Sequence, residues 1–294
     1  MSRYKTPLRY PGGKQKLAPF ILEVLTTNDM LGGHYAEPYA GGAGIAMELL
    51  IEGRVSHVHL NDSCAAVYSF WRSALFDTEE MCRRISRTSL TVKEWRHQKE
   101  ILAMPKKFSQ LDVGFSMFYL NRCNRSGILS GGVIGGLEQN GDWKMDARFP
   151  RKDLIERIET IALKKKAITI TNLDAEKFIT ECVPQLPRKT LIYLDPPYFH
   201  KADRLYLNHY TPQDHFRIAK IIQRHVKRPW LVSYDNTPEI LECYPERRLF
   251  TYDIQYNAGR VYRGSEIFIL SDRLRLPPNS QIRSIDRAIK RLAA

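Results

Sequence analysis

The stretch Leu191-Ile192-Tyr193-Leu194-Asp195-Pro196-Pro197-Tyr198 limits what this chain can fold into more than any other. Four apolar residues of β-branched and aromatic type predict a short buried strand. The acid and two prolines that follow end it at once. Pro196 and Pro197 have no N–H to donate and a fixed φ, so the ladder cannot continue and their carbonyls are held in set directions. Asp195 supplies an anionic acceptor, and Tyr198 a flat apolar ring with a polar tip. A structural turn is the plain alternative. The direct junction of buried strand and Asp-Pro-Pro-Tyr favours a functional site at the strand's end.

Strand and helix patterns alternate on both sides of this stretch, which predicts an α/β fold with a mostly parallel sheet. Upstream, Tyr35-Ala36-Glu37-Pro38-Tyr39-Ala40-Gly41-Gly42-Ala43-Gly44 runs into a helical pattern from Ile45 to Leu50. A glycine-rich turn between strand and helix lets the backbone approach a ligand and aims helix N–H groups at it. A second strand, Val55 to Leu60, ends in Asn61-Asp62. Asp62 follows Gly44 at close to the spacing, roughly 20 residues, at which an acid meets ribose hydroxyls. The third glycine of the dinucleotide fingerprint is missing, so the pair fits a nucleoside-containing cofactor and fits NAD poorly.

Before this turn, Leu8-Arg9-Tyr10-Pro11-Gly12-Gly13-Lys14 leads into an amphipathic helix from Gln15 to Leu25. Gln15 stands where a P-loop needs Ser or Thr, so the segment reads as a basic loop capping a helix. From Ala65 to about Leu120 the pattern is helical, with Trp71, Phe76, Trp95 and Phe118 as expected core residues. Asn121-Arg122-Cys123-Asn124-Arg125-Ser126-Gly127 breaks it, glycines recur through Gly136, and Arg148, Arg151 and Lys152 follow. This segment is too long for an idle connection. Its Asn, Arg, Ser and Gly suit phosphates and base edges, with a solvated loop as the alternative.

The parallel pattern resumes at Ala167 to Thr171, with Asn172-Leu173-Asp174 at the strand's end and Phe178 one helical turn on. After Asp-Pro-Pro-Tyr come a helix from Pro212 to Val226 and a strand from Trp230 to Tyr234. Two antiparallel strands, Leu249 to Tyr256 and Ser265 to Leu270, complete seven. The basic tail after Leu276 reads as a surface helix.

The chain's 294 residues carry a net charge of +13, an excess that suits a polyanionic partner. Hydrophobic residues at 43% fit a folded protein and exclude a disordered one. Five scattered cysteines without a C-x-x-C pair predict neither a disulfide framework nor a zinc site. No segment is long enough to span a membrane and the N-terminus lacks an apolar targeting core, so the expected compartment is the cytoplasm.

Tyr-Pro-Gly-Gly-Lys, Glu-Pro-Tyr-x-Gly-Gly-x-Gly, Asn-Asp, Asn-Arg, Asn-x-Asp and Asp-Pro-Pro-Tyr stand in the order found in the Dam-like DNA adenine-N6 methyltransferases, and from Leu8 to Asp272 the chain resembles that family. The resemblance implies a Rossmann-like class I S-adenosylmethionine-dependent methyltransferase sheet. Residues 1–76 and 165–276 would form one discontinuous catalytic domain, with 77–164 an inserted, mainly helical target-recognition domain and 277–294 a basic tail. It implies S-adenosyl-L-methionine as cofactor and double-stranded DNA as partner, with no metal, in a monomer or weak dimer. Tyr10 and Lys14 would contact the cofactor; Glu37, Pro38, Gly41, Gly42 and Gly44 would border its methionine part. Asp62 would hold the ribose, and Asp174, with Phe178, would meet the adenine ring. Asn121, Arg122, Arg125, Ser126 and Arg148 would contact DNA.

By the same resemblance, Asp195, Pro196, Pro197 and Tyr198 would handle the target base, with Asp195 also facing the cofactor. An exocyclic amino nitrogen is a poor nucleophile because its lone pair is delocalised. A carboxylate and a fixed carbonyl, each accepting one N–H, would pull that nitrogen towards tetrahedral geometry for in-line transfer. Tyr198 would stack on the flipped base. Family members carry Trp where Tyr10 stands and Phe where Tyr39 stands; the aromatic character is kept. The loop after Ser126 departs from readers of GATC and leaves the recognition sequence open. An RNA base methyltransferase is the alternative enzyme, an inactive nucleic-acid-binding regulator the alternative of another class.

Overall fold

In the computed structural model, which describes residues 5–9, 14–199, 210–258, 260–277 and 283–284 (252–258, 260–265 and 283–284 by backbone alone), the Leu191–Leu194 stretch lies at the centre of one mixed sheet. Its strands are β1 (His34–Glu37), β2 (His57–Asn61), β3 (Ile168–Thr171), β4 (Thr190–Leu194), β5 (Trp230–Asp235), β6 (Arg248–Ala258), β7 (Arg260–Leu270) and β8 (Arg283–Ser284). The order is β3-β2-β1-β4-β5-β7-β6-β8, parallel from β3 through β5 and antiparallel beyond. The seven expected strands are present. The two-residue β8 adds an eighth in the tail, where the sequence predicts a surface helix; the remainder of 278–294 lies outside the described residues.

Period-two alternation explains why the sheet takes helices on both faces. Tyr35, Val58, Leu60, Leu191, Tyr193, Leu231 and Phe268 point into one apolar core. Ala36, Ile192, Leu194, Val232, Tyr234, Ile267 and Ile269 point into the other. The first core is covered by α1 (Ala18–Thr27), α2 (Gly44–Ile51) and α3 (Ala65–Phe76). Helix α1 follows a 3-10 turn, Lys14–Leu17, because Pro19 fits only the first helical turn.

The helices α4 (Thr78–Arg87), α5 (Val92–Ala103), α6 (Gln110–Cys123) and α7 (Arg151–Ala162) form a helical insert between β2 and β3, within the stretch 77–164. They have no core of their own. Met81, Ile85, Trp95, Phe115, Leu154 and Ile158 join the same apolar cluster as the sheet residues Tyr35 and Leu191. Helix α6 is enclosed along nearly its whole length, buried from Val113 to Cys123, and starts from a Ser109–Asp112 capping box. Its close crossing with α3 depends on Gly114, where a Cβ would stand 2.6 Å from the Ser69 carbonyl oxygen. Gly114→Ala is therefore expected to lower stability by about 1–3 kcal/mol through overpacking, read as a drop in thermal midpoint. Trp71, Trp95 and Phe118 are buried as expected. Phe76 is not: it is 54% exposed, because it ends α3 beyond the core, with the Arg72 guanidinium 5.2 Å from its ring centre.

The second core is covered by α8 (Pro212–His225), opened by a Thr211–Asp214 capping box, by α9 (Pro238–Cys243), and by the helical segment that includes Phe178 and Ile179. The chain passes from β1 outward to β2 and β3, then returns to place β4 on the other side of β1. The crevice beyond the C-terminal ends of β1 and β4 is thus the switch point of the sheet, where open α/β sheets bind ligands. Glu37 ends β1 and Asp195 directly follows β4, so topology alone brings the two acids to one crevice.

Candidate active site

A cleft of about 540 Å³ opens at this switch point. Lys14, Glu37, Gly41, Gly42, Gly44, Asp62, Asn121, Arg122, Arg148, Asp195 and Pro197 all line it. Residues more than a hundred positions apart meet because one wall is the sheet's edge and the other is the insert.

The floor is the glycine turn. Gly41 (φ 45°) and Ala43 (φ 44°) both take left-handed backbone, a strain that Ala43 bears without glycine's freedom. The turn is pinned from both sides. The Gly41 N–H donates to Asp62 Oδ2 (2.8 Å), and Trp71 Nε1 donates to the Gly41 carbonyl (2.9 Å). Asp62 Oδ1 also accepts the Cys64 N–H (2.9 Å). Beside it, Asn61 ties three strand ends together: Nδ2 donates to the Pro38 and Leu173 carbonyls, and Oδ1 accepts from Thr171 Oγ1 and the Leu173 N–H. Burial in the cleft pushes the Asp62 carboxyl up to about 6 against its two N–H bonds, and pushes Glu37 up to about 8 with the Asp195 charge adding to it.

At the end of β4, Asp195 Oδ1 accepts from Ser233 Oγ (2.7 Å) and lies 3.3 Å from Lys14 Nζ. Ser233 is fixed in turn by the Tyr193 hydroxyl (2.8 Å). Both contacts of Asp195 end on Oδ1; Oδ2 takes part in neither. The Phe199 N–H donates to Asp235 Oδ1 (3.0 Å), which ties the Asp-Pro-Pro-Tyr turn to the end of β5.

Behind Asp195 sits a buried charge cluster. Lys14 Nζ meets Glu266 Oε2 at 2.5 Å and the Tyr198 hydroxyl at 3.1 Å, and that hydroxyl donates to Glu266 Oε1 (2.6 Å). Burial opposes the Lys14 charge, but the Asp195 and Glu266 carboxylates outweigh it and hold the ammonium well above its usual value. Burial likewise raises Asp195, with Lys14 opposing and Glu266 adding.

Several expected site residues stand elsewhere. Tyr198 is 4% exposed and engages Glu266 and Lys14, so its ring is packed behind Asp195 and does not line the cleft. Lys14 faces Asp195 and Glu266 as well as the cleft. Phe178 is buried in the second core beside Ala36, because its helical turn points at the sheet. Asp174 is exposed and caps its own helix by accepting the Glu176 N–H (2.9 Å). Pro38 and Pro196 are buried and shape the turns without lining the cleft.

The recognition residues also divide. Asn121, 1% exposed, clamps the Arg9 peptide: Oδ1 accepts its N–H (2.8 Å), and Nδ2 donates to the Arg9 (2.6 Å) and Gly127 (3.0 Å) carbonyls. Arg122, 6% exposed, donates from Nε to the Arg148 carbonyl (2.6 Å). Neither is placed to touch a duplex, because α6 is enclosed at this point. Arg125 and Arg148 are exposed, Ser126 is half-buried with φ 56°, and Tyr10 lies outside the described residues. Tyr193, Ser233 and Glu266 were not visible as site residues in the sequence. Only the parity of β4, β5 and β7 would have pointed to them.

Among the described residues no helix is long and apolar enough to cross a membrane, and no group of His, Cys, Asp and Glu is set to hold a metal. No sequence among the curated proteins matches the chain. Among solved structures, a protein of Pyrococcus horikoshii described as an RNA methyltransferase superposes with TM-score 0.42 at 9% identity, covering 90% of this chain and 84% of that one. An rRNA methyltransferase of Streptomyces viridochromogenes gives 0.40 at 14%, covering 90% and 88%. At these values neither likeness speaks to the substrate. The parallel α/β sheet with its switch-point cleft is a Rossmann-like arrangement. The family model for D12 class N6 adenine-specific DNA methyltransferases matches residues 10–257, and the chain belongs to that family.

Proposed function

We propose that the chain moves a methyl group from S-adenosyl-L-methionine to the N6 amino group of an adenine flipped out of duplex DNA. The observation that carries this reading is Asp195 at the switch point, held through Oδ1 by Ser233 and Lys14 at the mouth of the cleft. The cofactor supplies an electrophilic sulfonium methyl.

The cleft residues fit such a group. The pinned turn at Gly41–Gly44 presents backbone at close range, and Asp62 offers a half-buried acceptor for ribose hydroxyls beside it. Asp195 Oδ2 and a fixed backbone carbonyl of the Asp-Pro-Pro-Tyr turn would each accept one N–H of the target amine, aligning its lone pair. As the N–C bond forms and the S–C bond breaks, the nitrogen loses one proton. Asp195, raised by burial, is suited to receive it. The exposed Arg125 and Arg148, with half-buried Ser126, would meet DNA at the rim, and the insert 77–164 would carry target recognition. The whole-chain charge of +13 supports a polyanionic substrate.

Incubation with labelled S-adenosylmethionine tests the reading: label should enter duplex DNA as N6-methyladenine. Label confined to ribosomal RNA would overturn it. A pH test addresses Asp62. Its raised carboxyl means the free protein binds a proton there up to about pH 6, whereas a ribose donating hydrogen bonds favours the charged form. Cofactor affinity should therefore fall as pH drops through about 6, and Asp62→Asn should flatten that limb in calorimetry. An unchanged limb in the variant would remove Asp62 from the ribose.

A further inference from the structure

Strand β7 carries a carboxylate where its alternation calls for an apolar side chain. Ile267 and Ile269 point into one core, Phe268 and Leu270 into the other, and Glu266 shares the parity of Phe268. Glu266 is fully buried. A carboxylate in that position costs free energy unless it is paired. Both of its oxygens are engaged: Oε2 lies 2.5 Å from Lys14 Nζ, and Oε1 accepts the Tyr198 hydroxyl (2.6 Å). A buried pair of this kind adds little to stability, because desolvation offsets its attraction. Its consequence falls on the third charge of the row, Asp195.

Lys14 stands between the two acids and is nearer Glu266 (2.5 Å) than Asp195 (3.3 Å). Exposure rises along the row, from 1% for the Glu266 side chain through 6% for Lys14 to 22% for Asp195. The enclosed end thus holds the cation, and Asp195 lines the cleft. Lys14 and Glu266 act on it with opposite signs. Burial raises the Asp195 carboxyl, Lys14 lowers it, and Glu266 raises it again. The other groups that act with it are Tyr193 of β4, Ser233 of β5, and Tyr35 and Glu37 of β1. Ser233 donates to Asp195 and favours its charged form. Burial holds Tyr35 and Tyr193 well above their usual values, so both stay neutral. Glu37, pushed up to about 8 by burial, is protonated across the acid range. Among the described residues, Lys14 and Glu266 are therefore the charges that set how readily Asp195 takes a proton.

We propose that Glu266 is a positioning residue for the transfer step: it binds the Lys14 ammonium so that Lys14 orients Asp195 through Oδ1 without quenching it as a proton acceptor; this rests on the methyl-transfer reading above. As the nitrogen takes the methyl carbon, the S–C electron pair stays on sulfur and one N–H proton moves to Asp195. An ammonium facing Asp195 alone would oppose that last move. With Glu266 in place the two neighbouring charges offset, and Asp195 keeps both its orientation and its basicity.

Carbon NMR of protein labelled at its aspartate carboxyls follows Asp195 directly, with Asp195→Asn identifying its signal. Glu266→Gln should lower the Asp195 midpoint by about one pH unit or more, since a like charge is removed and Lys14 is left to Asp195 alone. Lys14→Met should move it the opposite way. Glu266→Asp keeps the charge but draws it back by one methylene. It should fall between wild type and Glu266→Gln, and it gives the reading if the glutamine variant does not fold. The single-turnover rate on unmethylated duplex DNA should follow, measured at saturating cofactor to keep Asp62 out of the profile. In Glu266→Gln its acid limb should move to lower pH and its plateau fall about tenfold or more. A purely structural role would lower the rate and leave Asp195 alone, so an unmoved midpoint in both Glu266 variants overturns the proposal. An upward move in either, as in Lys14→Met, overturns it as well. The NMR titration needs neither DNA nor cofactor. The expected midpoints with no transfer by the wild type would instead overturn the methyl-transfer reading, and with it the place of Glu266 in the reaction.

Discussion

Asp195→Ala is expected to lower methyl transfer by about 100- to 1,000-fold or more, the usual cost of one positioned electrostatic group, with the fold intact. The structure explains why the two effects separate. Lys14 keeps Glu266 at 2.5 Å when Asp195 is gone, so the buried ammonium is not orphaned. Ser233 and Tyr193 keep each other at 2.8 Å. Cofactor binding, which the proposed reading assigns chiefly to the glycine turn and Asp62, should change little. Single-turnover transfer with saturating cofactor measures the loss, and calorimetry checks the binding. Transfer within about tenfold of wild type would remove Asp195 from its role.

Lys14→Met should produce the largest change in stability and a distinctive change in activity. It leaves Asp195 and Glu266 without the cation both approach, and breaking a buried pair in this way costs about 3–5 kcal/mol. The partial exposure of Asp195, 22% of its side chain, places the cost at the low end. The sign of the pH effect follows from charge. Lys14 holds the Asp195 carboxyl down against burial, so its removal raises Asp195 further, while activity needs the ionised form. The acid limb of the rate profile should move to higher pH in the variant. If Lys14 served the cofactor alone, the loss would appear in cofactor affinity and the acid limb would stay in place.

The strands, and their division into a parallel run closed by two antiparallel strands, were legible from the sequence because their signals are local. Apolar runs ended by Asp-Pro-Pro, by Asn-Asp or by glycines mark strand ends facing one side of a parallel sheet. Asp195, Glu37 and Asp62 were legible for the same reason: each sits at the C-terminal end of a strand, or just past it, where chain direction fixes position. What failed depended on side-chain direction and enclosure. Asn121 and Arg122 look like recognition residues in a polar, glycine-rich run, but the end of α6 is buried, and Asn121 serves the Arg9 peptide. Tyr198 turns towards Glu266, a partner 68 residues away on an antiparallel strand that no local pattern announces. Phe178 obeys helical periodicity and therefore points into the core.

The insert shows the same limit. Its helical character follows from periodicity, but its lack of an independent core does not, because Trp95 or Phe115 carries no mark of which core it joins. Gly127 is a further case. It holds φ 77°, and a Cβ there would run into the Arg9 carbonyl oxygen, so Gly127 fixes how closely the loop after α6 approaches the segment 6–9.

The most direct measurement is single-molecule sequencing of DNA from a methylation-free host expressing the wild type or Asp195→Ala. N6-methyladenine should appear at one short sequence with the wild type and be absent with the variant. Unmodified DNA under wild-type expression, or equal modification by both proteins, would contradict a DNA adenine methyltransferase whose catalytic acid is Asp195.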